Sequence, residues 1–401
     1  MKHLNDEELI LHYYAEGGDN AALERHLQSC ERCAGAYAAV TQTLRGITAP
    51  VAPEPGDELP AEIWQHVRDR VARDERDPRW MPVRWEGKLA LLVWLVPLIY
   101  PFSIRALFGS AQLARTSSPE GIPLMLLTLT WAFAGPFVAL FVLNRIQGER
   151  IDRVRHRLIV YGAVAATVSP ALFNLTQRSG LGLLLWYAVT ALVALSALLP
   201  LSESTGSTTR LRRFHRTSAA LILLFAAAHL LNHTFAIVSV PTHSAVLEVL
   251  RVVYRQPVIE TFLIGAIVFQ IGSGGALVWQ AHLRRPSASN NVQALSGLYL
   301  AVFFLAHLSA ALMARPQTDT NFVWAAGRGG LLASRGLTLL LPYYLLGVAA
   351  LFAHVGQYLR RRVLVSLPAI SVQRLSYAGM AFSGVVMLTL GLALCGIGLV
   401  P

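Results

Sequence analysis

Charge is scarce in this chain. Only 14% of its 401 residues are Asp, Glu, Lys or Arg, and 54% are hydrophobic; a water-soluble domain carries about 25% charge. The shortage is uneven. Residues 1–88 hold most of the acids and few long apolar runs. From Leu89 onward the apolar runs reach the roughly 20 residues that a helix needs to cross a bilayer. The composition therefore describes two bodies, a polar head and a large apolar domain, both all-α.

Cysteine is nearly absent too: Cys30, Cys33 and Cys395 are the whole supply, and a disulfide framework is not expected from them in a reducing compartment. The first residues, "MKHLNDEELILHYYAEGG", are acidic and lack the apolar core of a secretory signal, so the head is expected to stay in the cytoplasm. In that reducing compartment the close pair Cys30/Cys33 reads as metal ligands or a redox pair. Catalytic signatures are also missing. There is no His-Glu-x-x-His, no Gly-x-Ser-x-Gly and no phosphate-binding glycine loop, and the chain is not expected to be an enzyme. The lack of Cys-x-x-Cys-His excludes c-type haem attachment.

Positive charge is present in excess, with a net +11, but its distribution argues against nucleic acid, and no direct DNA contact is expected. The arginines sit in short loops between apolar segments, as membrane topology requires. Nine spans are expected, near 88–108, 122–144, 158–176, 181–200, 214–239, 258–283, 294–314, 337–359 and 375–400. The loops holding Arg145 to Arg157, Arg210 to Arg216, Arg284 and Arg285, and Arg360 to Arg374 are richer in arginine than the alternate set. That bias places the head inside and, with nine crossings, the C-terminus outside.

Within the head, Asn5 and Glu8 have capping-box spacing for a first helix that ends near "EGGD". A second helix fits Asn20 to Gln28, and a third runs from about Cys33 toward Leu44. The head is divided into a helical domain over 1–48, a proline-rich linker over 49–60 and an amphipathic helix within 61–87, where Ile63, Trp64, Val67 and Val71 share a face. The membrane domain divides into a four-span module over 88–200 and a five-span module over 201–401. The second module contains a weak repeat: Ser218 precedes His229, and Ser296 precedes His307, by eleven residues each.

Two sets of residues point to chemistry. The first is His-x3-Cys-x2-Cys at His26, Cys30 and Cys33. His26 and Cys30 are one helical turn apart and Cys33 closes from the following helix. Zinc takes four tetrahedral nitrogen or sulfur ligands, so a fourth is needed from His3, His12 or water. This head resembles the zinc-binding anti-sigma domain, which has the same core and an earlier ligand some two dozen residues upstream. His3, 23 residues before His26, matches that position. The resemblance covers about the first 75 residues and implies a metal site of His3, His26, Cys30 and Cys33, and a sigma factor as partner.

The second set is the histidines within the spans, where ionisable groups are costly and mark function. His229 and His307 fall at matching depth. His354 and His282 lie nearer the opposite ends of their helices. Residues 210–360 resemble the haem-b anchors of the succinate dehydrogenase and fumarate reductase cytochrome b families through "FHRTSA" followed by "AAAHLLNH". The resemblance implies haem b ligated by His229 with His307, and by His282 with His354. Gln270 departs from that pattern, standing where "FQIG" aligns with "AHVG" around His354, and this makes His215 a rival partner for His354. His233 reads as a neighbour or a quinone contact. The combined expectation is a bacterial inner-membrane regulator whose zinc head binds a sigma factor and whose membrane part senses redox state. The alternative is a quinone-linked b-type cytochrome with a docking head.

Overall fold

The computed structural model describes residues 3–4, 8–9, 12, 20–47, 84–116, 119–146, 153–177, 180–199, 209–282, 288–315, 330–362 and 369–397. The described residues form helices and turns without a strand. They fall into two compact units, 1–82 and 83–401. The expected linker over 49–60 and nearly all of the amphipathic segment over 61–87 lie outside the described residues, as do Asn5 and the "EGGD" turn.

In the first unit, α1 (Asn20–Ser29) and α2 (Glu31–Ile47) are separated by the single non-helical residue Cys30. The break is short because the Ala34 N–H bonds the Cys30 carbonyl at 3.0 Å, so helix two begins one residue after the first ends. Leu9 and Cys33 are buried in this small unit, and the His12 ring packs at 5.2 Å on Tyr37.

The second unit is a helical bundle: α3 (Arg84–Arg115), α4 (Gly121–Arg145), α5 (Arg153–Gln177), α6 (Gly182–Ser196), α7 (Thr209–Thr234), α8 (Val240–Tyr254), α9 (Pro257–His282), α10 (Ala288–Ala314), α11 (Leu340–Arg362) and α12 (Ala369–Leu394). Eight of these are long and apolar enough to cross a membrane. α6 is not, and here the count differs from the nine long spans expected. At 15 residues it rises only about 22 Å. Its following turn nonetheless carries the chain back to the start of α5, where the Arg157 guanidinium donates to the Leu199 carbonyl at 2.7 Å.

α3, α4 and α5 pack against one another, and α5 also meets α6, α10 and α11. It is the most enclosed helix, with 72% of its apolar window buried. Close approach is built in: a Cβ on Gly135 of α4 would stand 2.2 Å from the Ala166 carbonyl oxygen of α5. Prolines within α3 have a specific remedy. Pro101 has no N–H to give the Pro97 carbonyl, and an orphan carbonyl in an apolar bundle is expensive. The indole N–H of Trp186 from α6 fills it at 3.0 Å, and Trp186 itself is fully buried against Tyr100 and Phe173.

The remaining long helices close a ring. α7 packs on α9, α9 on α10, α10 on α11, α11 on α12, and α12 returns to α7. Polar residues between α7 and α9 and between α10 and α11 stand in an apolar background, and they belong to the second site below. α8 lies across one end of α7 and turns His243, Leu247 and Arg251 inward at helical spacing. Its N-cap is Ser239, whose hydroxyl accepts the Thr242 N–H at 3.2 Å.

Candidate metal centre and the polar layers of the bundle

The last turn of α1 and the first turn of α2 converge on one point in the head. His26 projects from α1, Cys30 occupies the break, and Cys33 stands one turn into α2. His3 folds back over them. One ligand atom from each of His3, His26, Cys30 and Cys33 lies within 4.8 Å of all the others. The individual separations are 3.4 Å from His26 Nε2 to Cys33 Sγ, 3.6 Å from His3 Nδ1 to Cys30 Sγ and 3.5 Å from His3 Nδ1 to Cys33 Sγ. Tetrahedral zinc with nitrogen at 2.0–2.1 Å and sulfur at 2.3 Å sets such pairs about 3.5 Å apart. The group can therefore hold a metal ion such as zinc with little movement.

The surroundings suit thiolate ligands. The Leu4 N–H points at Cys33 Sγ from 3.4 Å. The Cys33 backbone N–H holds the Cys30 thiol below its ordinary pKa, ahead of the opposing effect of burial, with the Cys33 side chain and Arg32 adding to the lowering. Cys33 is buried and His3 exposed, so the site is open on the His3 side. Of the candidates for fourth ligand, the fold brings in His3. His12 is on the Tyr37 ring instead.

The ring of membrane helices carries two polar layers. His215 and His229 are both on α7, fourteen residues and nearly four turns apart, so they share a face about 21 Å apart along the axis. The repeat on α10 has the same logic. Ser296 and His307 are eleven residues apart, close to three turns, so the serine reaches one layer and the histidine the other.

In the layer near the end of α7, the His229 and His307 rings are brought together with centroids 6.0 Å apart. His229 also stacks on Phe225, and His307 on Phe303. A row of hydrogen bonds fixes the nitrogens. Asn232 Nδ2, which only donates, is 3.2 Å from His243 Nε2, so that nitrogen accepts. His233 Nδ1, also 3.2 Å from His243 Nε2, must then donate. That leaves His233 Nε2 to accept from His229 Nε2 at 3.1 Å. His243 lies outside the long helices; burial first, and the Arg251 guanidinium second, lower its pKa, consistent with a neutral ring. The nearest partner of His229 Nε2 is thus His233 rather than His307.

In the other layer, His215 Nδ1 meets Ser273 Oγ at 2.7 Å and His215 Nε2 meets Gln270 Nε2 at 2.9 Å. Gln270 Oε1 accepts from Ser218 Oγ at 2.6 Å. Across the ring, His354 Nδ1 is 3.1 Å from the Gln293 carbonyl and 3.3 Å from Ser296 Oγ, and the Gln293 amide nitrogen lies 3.1 Å from both nitrogens of the His354 ring. His282 closes the last turn of α9; its side chain lies outside the described residues.

Sequence reasoning missed His243, Asn232, Ser273 and Gln293. His243 falls in the connection between two spans, where a histidine carries no signal. The amides and the hydroxyl are uncharged, and such side chains within spans ordinarily serve as interhelical polar contacts.

No protein-family model matches the chain, and no curated protein or solved structure is similar to it.

Proposed function

We propose that this chain is a membrane-bound, anti-sigma-like regulator: a cytoplasmic head, folded around zinc, binds a sigma factor, and the helical bundle behind it senses redox state. The observation that carries the reading is the convergence of His3, His26, Cys30 and Cys33. Four nitrogen and sulfur ligands close the tetrahedron, which is the pattern of a structural zinc site rather than a catalytic one with an open position. Such a site supplies folding energy to a head with only a small apolar core. Two thiolates also make it oxidisable, since disulfide formation would expel the metal. The same chain carries eight helices long and apolar enough to cross a membrane, and the arginine bias of the loops supports a bacterial inner membrane with the head inside.

A second reading, a b-type cytochrome linked to quinone whose zinc head docks a partner, is favoured by the polar layers in the helix ring. Membrane-embedded histidines in facing pairs suit haem ligation, and the 6.0 Å between the His229 and His307 rings is compatible with it.

The test uses the full chain in detergent. A sigma factor from the same cell should copurify with the wild type and be absent from the Cys30→Ser/Cys33→Ser variant. Persistent absence of sigma factor from zinc-loaded wild type contradicts the regulatory reading and leaves the cytochrome reading.

A further inference from the structure

α8 is too short to cross a bilayer, yet its surface is not that of a helix standing in water. Its 15 residues rise about 22 Å, short of the roughly 30 Å of a hydrocarbon core. At about 100° per residue its side chains sort into three sectors. His243, Leu247 and Arg251 form the buried sector and face the bundle. His243 is held there by Asn232 and His233, each at 3.2 Å.

On the opposite side stand Ala245, Val249, Val252 and Val253, in a sector about 100° wide. All four are exposed, Val249 and Val252 at 69% and Val253 at 57%. The other residue in that sector, Thr242, is half-buried, and its hydroxyl lies 2.8 Å from that of the cap residue Ser239.

The third sector is narrow and polar. Ser244, Glu248 and, at the helix end, Arg255 fall within about 40° of one another, along one edge of the valine face. Glu248 is exposed, and its carboxylate accepts from the Arg251 guanidinium at 2.7 Å. Along the other edge, Val246 and Leu250 are half-buried and carry the apolar surface down to the bundle. The helix is thus polar on a single edge.

A helix lying in the plane of a membrane interface has this pattern, with an apolar face at the headgroup–acyl boundary and a polar edge toward water. The neighbouring surface agrees. α8 packs on α7 and α9, both long and apolar enough to cross a membrane. Leu231 of α7 and Val258 and Phe262 of α9, at the ends next to α8, are exposed as its valines are. A protein partner fits this face less well. Protein interfaces are anchored by Trp, Tyr and Arg, and valine is under-represented among their anchors. Four small side chains on one short helix also fall well short of the ~800 Å² per partner that a stable interface buries.

We propose that α8 is an interfacial helix whose partner is the lipid surface: Val249, Val252 and Val253 are seated among the upper acyl chains, and Ser244, Glu248 and Arg255 face water. Zinc, sigma factor and haem play no part in this, so its failure leaves those readings standing.

The test places an environment-sensitive fluorescent amino acid at Val252, and in a second protein at Glu248, in the full chain reconstituted into phosphatidylcholine vesicles. Both positions are exposed, and each protein is first matched to wild type in thermal unfolding. The acyl chains are brominated either near the headgroup or near the chain end, and iodide is supplied in the water on both sides. At position 252 the emission should be blue-shifted, quenched several-fold more by the shallow bromines than by the deep ones, and insensitive to iodide. At position 248 iodide should be the stronger quencher. Equal iodide quenching at both positions overturns the proposal, because the valine face then stands in water. Blue-shifted emission at 252 that neither bromine quenches overturns it in favour of a protein cover, such as a second copy of the chain. Strongest quenching by the deep bromines overturns it by placing α8 inside the hydrocarbon core.

Discussion

Replacing His3 by alanine isolates one ligand of the head without touching its core. His3 is exposed, and it is the ligand most distant in sequence from the other three. Its Nδ1 stands 3.6 and 3.5 Å from the two sulfurs, as a shared zinc requires. Structural zinc sites bind with an apparent 10–16 kcal/mol in small domains. Divided over four ligands, one contributes roughly 2.5–4 kcal/mol, or about 60- to 700-fold in affinity at about 1.4 kcal/mol per decade. Water entering on the open His3 side restores part of this, so the expected loss is near the lower end, about 100-fold. The assay is competition for zinc between the full chain and a chromophoric chelator of known affinity. His12→Ala is the control, because His12 packs on Tyr37 and not on the metal group; it should bind zinc as wild type does. Equal affinity in His3→Ala and wild type, or a larger loss in His12→Ala, would refute the four-ligand geometry.

Other consequences follow from the bundle. Trp186→Phe keeps the ring in place but removes the N–H that satisfies the Pro97 carbonyl; a buried acceptor left unpaired costs about 1–3 kcal/mol, so thermal unfolding of the purified chain should begin at lower temperature, and an unchanged transition would contradict the role given to Pro101. Gly135→Leu forces a side chain into the Ala166 carbonyl, and overpacking of about 1–3 kcal/mol or more should reduce the yield of folded protein, whereas Gly265→Leu, at a position with nothing within 4 Å, should be tolerated. The depressed pKa of His243 has a definite sign. The folded state holds the ring neutral below its ordinary value of 6.5, so the unfolded state takes up the proton first, and stability is lost as pH falls below 6.5 toward the depressed value. His243→Asn should flatten that slope in a chemical-denaturation series; an identical slope would refute it.

The sequence made the head's ligands legible because a turn of helix and a short gap leave His26, Cys30 and Cys33 few ways to avoid one another. His3 was harder. It and His12 both lie upstream, and only the fold-back of the first residues, with His12 drawn to Tyr37, separates them. The all-helical class and most spans were legible from long apolar runs. α6 was read as a full-length span, but its helix stops after Ser196 and a turn completes the return to Arg157, a distinction hydropathy does not encode. The eleven-residue repeat did carry spatial information: Ser218 and Ser296 reach one polar layer, and His229 and His307 the other. What pattern alone left open was the state of each imidazole nitrogen. Those states depend on Ser273, Gln270, Gln293 and Asn232, whose uncharged side chains look like ordinary interhelical polar contacts until their partners are seen.

The most direct test of the account is elemental analysis of the purified full chain beside its Cys30→Ser/Cys33→Ser variant. One zinc per wild-type chain and none in the variant are expected, with the bundle's thermal transition unchanged. A wild type without bound metal, or a variant that retains its zinc, would contradict it.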